Sequence, residues 1–171
     1  MMKIAIIEDE VAIRRMYAMK LKFSDFEVCE AEDGEHGLAI IKEHQPDLIL
    51  LDLRMPKMNG DEMLRELRAT EWGEKIPVII MTNISKDEAP RTLWHLGISD
   101  FIVKANSTPQ KVVDSVIAVL AAWEFTHFVL VIQWILKQVQ DDETEAIKNG
   151  VLRKWGFLTS IEIEKKRVIT V

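Results

Sequence analysis

The stretch Leu48-Ile49-Leu50-Leu51-Asp52-Leu53-Arg54-Met55-Pro56-Lys57-Met58-Asn59-Gly60 decides how this chain folds. Four apolar residues without polar alternation read as a strand buried on both faces, the pattern of a parallel sheet covered by helices. Asp52 closes the run and a proline-containing loop follows. Asn59 and Glu62 then form a capping-box-like pair that opens a helix read as Gly60 to Glu71. The unit is strand, loop and helix, with a carboxylate at the carboxyl end of the strand.

Four similar units flank it. The strands are read as Lys3 to Ile7, Glu27 to Ala31, Val78 to Met81 and Phe101 to Val103, and both faces of each are expected to be buried. The helices are read as Val11 to Lys22, Glu35 to His44, Arg91 to Leu96 and Pro109 to Ala122. This alternation predicts an α/β domain with a parallel sheet. Asp33 can cap the second helix, and Thr108 places Pro109 at the first position of the fifth. Ser85 and Glu88 also look like a capping box. Pro90 would then lack an amide inside the helix, so that helix should start late or kink.

Composition narrows the function. The chain has 171 residues, 48% of them hydrophobic and 29% charged, with few glycines and prolines, which is the profile of a folded soluble protein. One cysteine, Cys29, cannot form an internal disulfide, so a reducing compartment is expected. The net charge is −6, and the acidic excess falls within residues 1–122, which argues against direct nucleic-acid binding there. The apolar run Ile4 to Ile7 is too short and too soon followed by Glu8-Asp9-Glu10 for a signal peptide. A cytoplasmic protein is expected.

Residues 123–171 differ in kind. Phe125 to Leu136 is nearly all apolar, Asp141 to Lys154 is a mixed-charge helical stretch, and Thr159 to Val171 reads as a β-hairpin. Val116 to Leu136 is interrupted by Glu124, Thr126, His127 and Gln133, which weighs against a membrane span. The fifth helix is expected either to end near Trp123 or to continue as a hydrophobic rod covered by a second chain, as in a homodimer, or by the hairpin. His127 to Asp142 also resembles the apolar tails produced when a bacterial reading frame runs into an intergenic repeat. With only 49 residues left after Ala122 and no positive excess among them, a DNA-binding output domain is not expected.

In an open parallel α/β sheet, functional groups collect beyond the carboxyl ends of the strands. Glu8 and Asp9 follow the first strand, Asp52 the third, Thr82 the fourth, and Lys104 ends the fifth. Clustered carboxylates call for a cation, and Mg²⁺ prefers oxygen ligands and a phosphate partner. A carboxylate beside the metal can attack a phosphoryl group, while Lys104 and Thr82 stabilise charge on the transferred oxygens. His36, His44, His95 and His127 lack metal-ligand spacing.

The string Ile49 to Gly60, an aspartate followed by Met-Pro-x-Met-x-Gly, resembles the phosphoacceptor segment of bacterial two-component response-regulator receiver domains, the CheY-like family. Ile6-Ile7-Glu8-Asp9-Glu10 resembles the family's acidic pair, Met81-Thr82-Asn83 its hydroxyl-bearing strand end, and Gly97 to Lys104 its last strand. The resemblance covers residues 3 to about 120 and implies a flavodoxin-like, doubly wound five-stranded parallel sheet of order 2-1-3-4-5. It implies a receiver spanning residues 1–122, with residues 123–171 as a C-terminal extension.

A histidine kinase or phosphotransfer protein would donate a phosphoryl group to Asp52. Asp9, Asp52 and the Arg54 backbone carbonyl would bind Mg²⁺, with Glu8 acting through its waters. Thr82 would turn toward the phosphoryl group and Phe101, which reads equally as plain core, would follow inward. That movement would change the face made by the fourth helix, fifth strand and fifth helix. The resemblance implies a signalling domain, with at most self-phosphorylation and autodephosphorylation, rather than a turnover enzyme.

One position departs from the family pattern: Ala105 follows Lys104 where proline in a cis bond is usual. A cis bond before alanine would cost several kcal/mol, so a trans bond and a shifted loop are expected, which leaves the placement of Lys104 open. For that reason a pseudo-receiver, folded but working without phosphorylation, is the alternative. A dehalogenase-type phosphatase would need an aspartate where Arg54 stands, and a flavin module would be repelled by Glu8-Asp9-Glu10.

Overall fold

The structure, a computed structural model, describes residues 1–141, with side-chain surroundings through residue 135. The helical stretch and the hairpin read after residue 141 lie outside the described residues. Five strands, β1 (Lys3–Ile7), β2 (Glu27–Ala31), β3 (Leu48–Leu51), β4 (Val78–Thr82) and β5 (Asp100–Val103), alternate with helices α1 (Val11–Lys22), α2 (Gly34–His44), α3 (Gly60–Arg68), α4 (Thr92–His95) and α5 (Pro109–Asp141). All strand pairings are parallel, in the order β2-β1-β3-β4-β5. The α/β, doubly wound reading therefore holds.

Successive side chains on a strand point to opposite faces, so each apolar run feeds two cores at once. Ala5, Ile7, Ile49, Leu51, Val78 and Ile80 pack with Ile41 of α2, Met63, Leu64 and Leu67 of α3 and Leu93 of α4. Their neighbours Ile4, Ile6, Leu48, Leu50, Ile79 and Met81 pack with Leu21 of α1 and Val112, Val113 and Val116 of α5. Each fully buried Leu or Ile contributes about 1.5–3 kcal/mol relative to leaving it in water.

The expectation that every strand is buried on both faces fails at the edge. In β2, Glu27 is exposed and Val28, Cys29 and Glu30 are half-buried, because β2 has a strand on one side only. α3 stops at Arg68 rather than Glu71. Thr70 Oγ1 donates to the Leu67 carbonyl (2.8 Å) and accepts the Gly73 N–H (3.0 Å), turning the chain out of the helix. Ser85 and Glu88 pair in a turn of their own (Oγ to Oε2, 3.0 Å), and α4 begins after Pro90, the late start expected. Asn59 and Glu62 form a complete capping box, and Asp33 caps α2.

The chain divides into two compact units, Met1–Glu124 and a second beginning at Phe125. α5 runs through the boundary, the rod-like continuation among the expectations for it. In the second unit Phe125, Phe128, Leu130, Val131 and Trp134 are exposed. By length and composition, Pro109–Ile135 is the one candidate membrane span among the described residues.

Candidate phosphoacceptor site

The sheet ladder continues past the strand ends and sets two acids side by side. Asp52 N–H donates to the Ile7 carbonyl (2.9 Å), and Glu8 N–H to the Ala31 carbonyl (3.0 Å). Carboxylate oxygens of Glu8, Asp9 and Asp52 lie within 4.8 Å of one another, with Glu8 and Asp52 buried and Asp9 exposed. Arg54 N–H donates to Asp52 Oδ1 at 3.3 Å.

Lys104, just past the edge strand β5, reaches this cluster. Its Nζ lies 2.6 Å from Asp52 Oδ2 and 2.5 Å from Glu8 Oε2. No cis peptide bond is present among the described residues, so Lys104–Ala105 is trans as expected, and the loop forms a short 3-10 turn over Lys104–Asn106. Burial favours the uncharged form of Lys104, but its hydrogen bond to Asp52 and the close carboxylate of Glu8 outweigh it and raise the ammonium pKa. For Glu8 the balance is reversed: burial outweighs Lys104 and lifts the carboxyl above its ordinary range.

Thr82 is fully buried in β4 and pairs in register with Val103, one residue before Lys104. Its Oγ1 accepts the Ile84 N–H at 3.5 Å, so the structure places it on the same rim without linking it to Asp52. Phe101 lies inward in the core, with its ring 5.6 Å from that of the half-exposed Trp94.

One contributor was not read from the sequence. Arg14 Nη1 donates to the Glu8 carbonyl (2.5 Å) and, at 3.3 Å, to that of Asp9, while its Nε lies 3.8 Å from Glu30. It thus ties the backbone of the acidic pair to α1 and β2. An arginine one helical turn past two loop acids is the signal that could have marked it.

The donor set suits a hard divalent cation. All donors are oxygens, and Glu8 Oε2 is buried without a well-oriented hydrogen bond despite the nearby ammonium. With one lysine against three acids, the rim keeps an uncompensated negative charge that such an ion would neutralise.

Comparison with known proteins identifies the family and the fold. The family model of the response regulator receiver domain matches residues 4–117. The chain is 36% identical over 117 residues to the phosphate regulon transcriptional regulatory protein PhoB of Pseudomonas aeruginosa, covering 68% of this chain and 51% of that protein. It is 40% identical over 119 residues to the transcriptional regulatory protein ResD of Bacillus subtilis, covering 69% and 48%.

A receiver domain protein of Methanospirillum hungatei shares the fold with TM-score 0.68 and 25% identity, over 74% of this chain and 98% of that one. The BeF3-activated receiver domain of Klebsiella pneumoniae RstA matches with TM-score 0.63 and 26% identity, over 69% and 97%. The chain spans about half the length of the curated relatives it matches. Those relatives are named as regulators of transcription, which conflicts in part with the expectation that this chain makes no direct nucleic-acid contact.

Proposed function

Since the chain belongs to the response regulator receiver family, we propose that it accepts a phosphoryl group on Asp52 and relays the event through the face made by α4, β5 and α5. The observation that carries this reading is the position of Asp52, buried, with carboxylate oxygens of Glu8 and Asp9 within 4.8 Å and the Lys104 ammonium 2.6 Å away.

An Asp52 carboxylate oxygen attacks the phosphorus of a phosphohistidine on a kinase or phosphotransfer protein; the P–O bond forms as the P–N bond breaks and the imidazole departs. Lys104 then pairs with the phosphoryl oxygens in place of the bare carboxylate, and the Thr82 hydroxyl turns to donate to them. Phe101, two residues after Ser99 and directly beside Trp94, passes the change to the surface. Asp9, Asp52 and the Arg54 carbonyl would hold Mg²⁺, with Glu8 acting through its waters, and the ion would supply charge neutralisation for the incoming phosphate.

The activity belongs in the cytoplasm, with a kinase or phosphotransfer protein as donor and no direct nucleic-acid or membrane contact by the receiver. A phosphorylation-independent module was suggested by Ala105, and that ground is weak when Lys104 stands within hydrogen-bond distance of Asp52. The test is labelling with acetyl phosphate. Wild type should label only with Mg²⁺ present, Asp9→Asn should need more of the ion, and Asp52→Asn should not label. Equal labelling of Asp52→Asn would refute the reading.

A further inference from the structure

The loop between β3 and α3 surrounds the proposed acceptor, and it is fastened to the start of α2 by contacts that the phosphoryl chemistry does not use. Lys57 Nζ lies 2.5 Å from Asp33 Oδ2, while Asp33 Oδ1 accepts the His36 N–H at 2.8 Å as the cap of α2. The Asp33 side chain is 2% exposed and that of Lys57 59%, so an outer lysine reaches over a buried carboxylate. One residue further on each side, Gly34 N–H donates to the Met58 carbonyl at 3.1 Å. A Cβ at Gly34 would stand 2.8 Å from that oxygen, so only glycine permits the approach.

Lys57 itself has φ +63°, the left-handed region that a lysine rarely adopts. The residue that carries this conformation is also the one that makes the ion pair to Asp33. The loop is closed by Gly60 N–H donating to the Leu53 carbonyl at 3.1 Å, and it carries Arg54, whose amide holds Asp52 Oδ1. A displacement at Lys57 and Met58 therefore has a short covalent path to the groups that orient the acceptor.

We infer that Lys57, through its ion pair with Asp33, is a positioning residue that holds the Arg54 segment where it can orient Asp52 and a bound divalent cation. This rests on the phosphoacceptor reading above. The lysine end of the pair is exposed, so losing it costs little stability by itself, and a merely structural role would leave the Mg²⁺ response unchanged.

The test uses the full chain with acetyl phosphate and measures the Mg²⁺ concentration that half-saturates the labelling rate. A direct Mg²⁺ titration, followed by backbone amide NMR shifts without phosphodonor, provides the second readout. Lys57→Ala should raise both half-saturation values about fivefold, the strong end for such a pair, and added salt should shrink the difference.

Lys57→Arg should restore most of the response. Asp33→Asn should match Lys57→Ala, and the double variant should be no worse than either. Lys57→Gly, which relaxes the backbone but loses the ion pair, should behave like Lys57→Ala. Wild-type values in Lys57→Ala or Lys57→Gly, with wild type labelling normally, would overturn this inference alone. A wild type that never labels would overturn it together with the reading it rests on.

Discussion

Lys104 Nζ and Asp52 Oδ2 lie 2.6 Å apart although 52 residues separate them in the chain, and the same ammonium stands 2.5 Å from Glu8. The cation therefore offsets the crowding of the acids and, under the proposed function, stands where a transferred phosphoryl group would arrive. Lys104→Ala should still fold, since the two cores do not depend on it, and should label about a hundredfold more slowly, the scale for losing one charge-stabilising donor. The initial rate with acetyl phosphate measures this; an unchanged rate would remove Lys104 from the chemistry.

Gly60 tests the route by which the loop is closed. A Cβ there would overlap the Asp52 carbonyl, a backbone atom that cannot step aside without moving the acceptor. Gly60→Ala should lose about 1–3 kcal/mol of stability, the usual range for overpacking a tight site. Denaturant unfolding gives the value, and a loss near zero would mean that the loop re-forms easily.

The Asp33 carboxyl sits below its ordinary value of 3.8, because the His36 N–H and then Lys57 favour its charged form. A depressed acid contributes stability above its unfolded pKa and loses it as pH falls through the folded one. The stability gap between wild type and Asp33→Asn should thus be full at neutral pH and decline below 3.8. Lys57, whose pKa is raised chiefly by its hydrogen bond to Asp33, stays charged throughout that window. Glu32 and Glu35 also act on Lys57, so Glu32→Gln and Glu35→Gln serve as controls. A gap that does not change with pH would assign the effect to capping alone.

Residues 1–122 contain the five strands found among the described residues and every proposed site residue. A chain ending at Ala122 should fold and label at Asp52 at the full-length rate. The exposed apolar residues past Glu124 should make the full chain associate, as a homodimer in sedimentation, where the shortened chain is monomeric. Unfolding on truncation would place the later part of α5 in the same core.

Much of this was legible because each relevant signal is local. Apolar runs of four or five residues define the strands, and the acids follow them directly. The flaws arose where neighbours decide: β2 is half-exposed because it lies at the edge, and α3 ends early because Thr70 and Gly73 bond to each other. Arg14 and Lys57 stayed hidden for the same reason. Their partners, the Glu8 and Asp9 carbonyls and the Asp33 carboxylate, are defined only once the loops have met. The position of Lys104 likewise could not be read past Ala105, since a side chain's reach depends on the path of the loop.

The most direct measurement is to trap the acceptor. Borohydride reduces an acyl phosphate to the alcohol, which would convert a phosphorylated Asp52 to homoserine. After treatment with acetyl phosphate and Mg²⁺, peptide mapping should find homoserine at position 52 and nowhere else, with none when Mg²⁺ is chelated. Reduction at another aspartate, or no reduction in a chain that has gained a phosphoryl group, would contradict the assignment of Asp52.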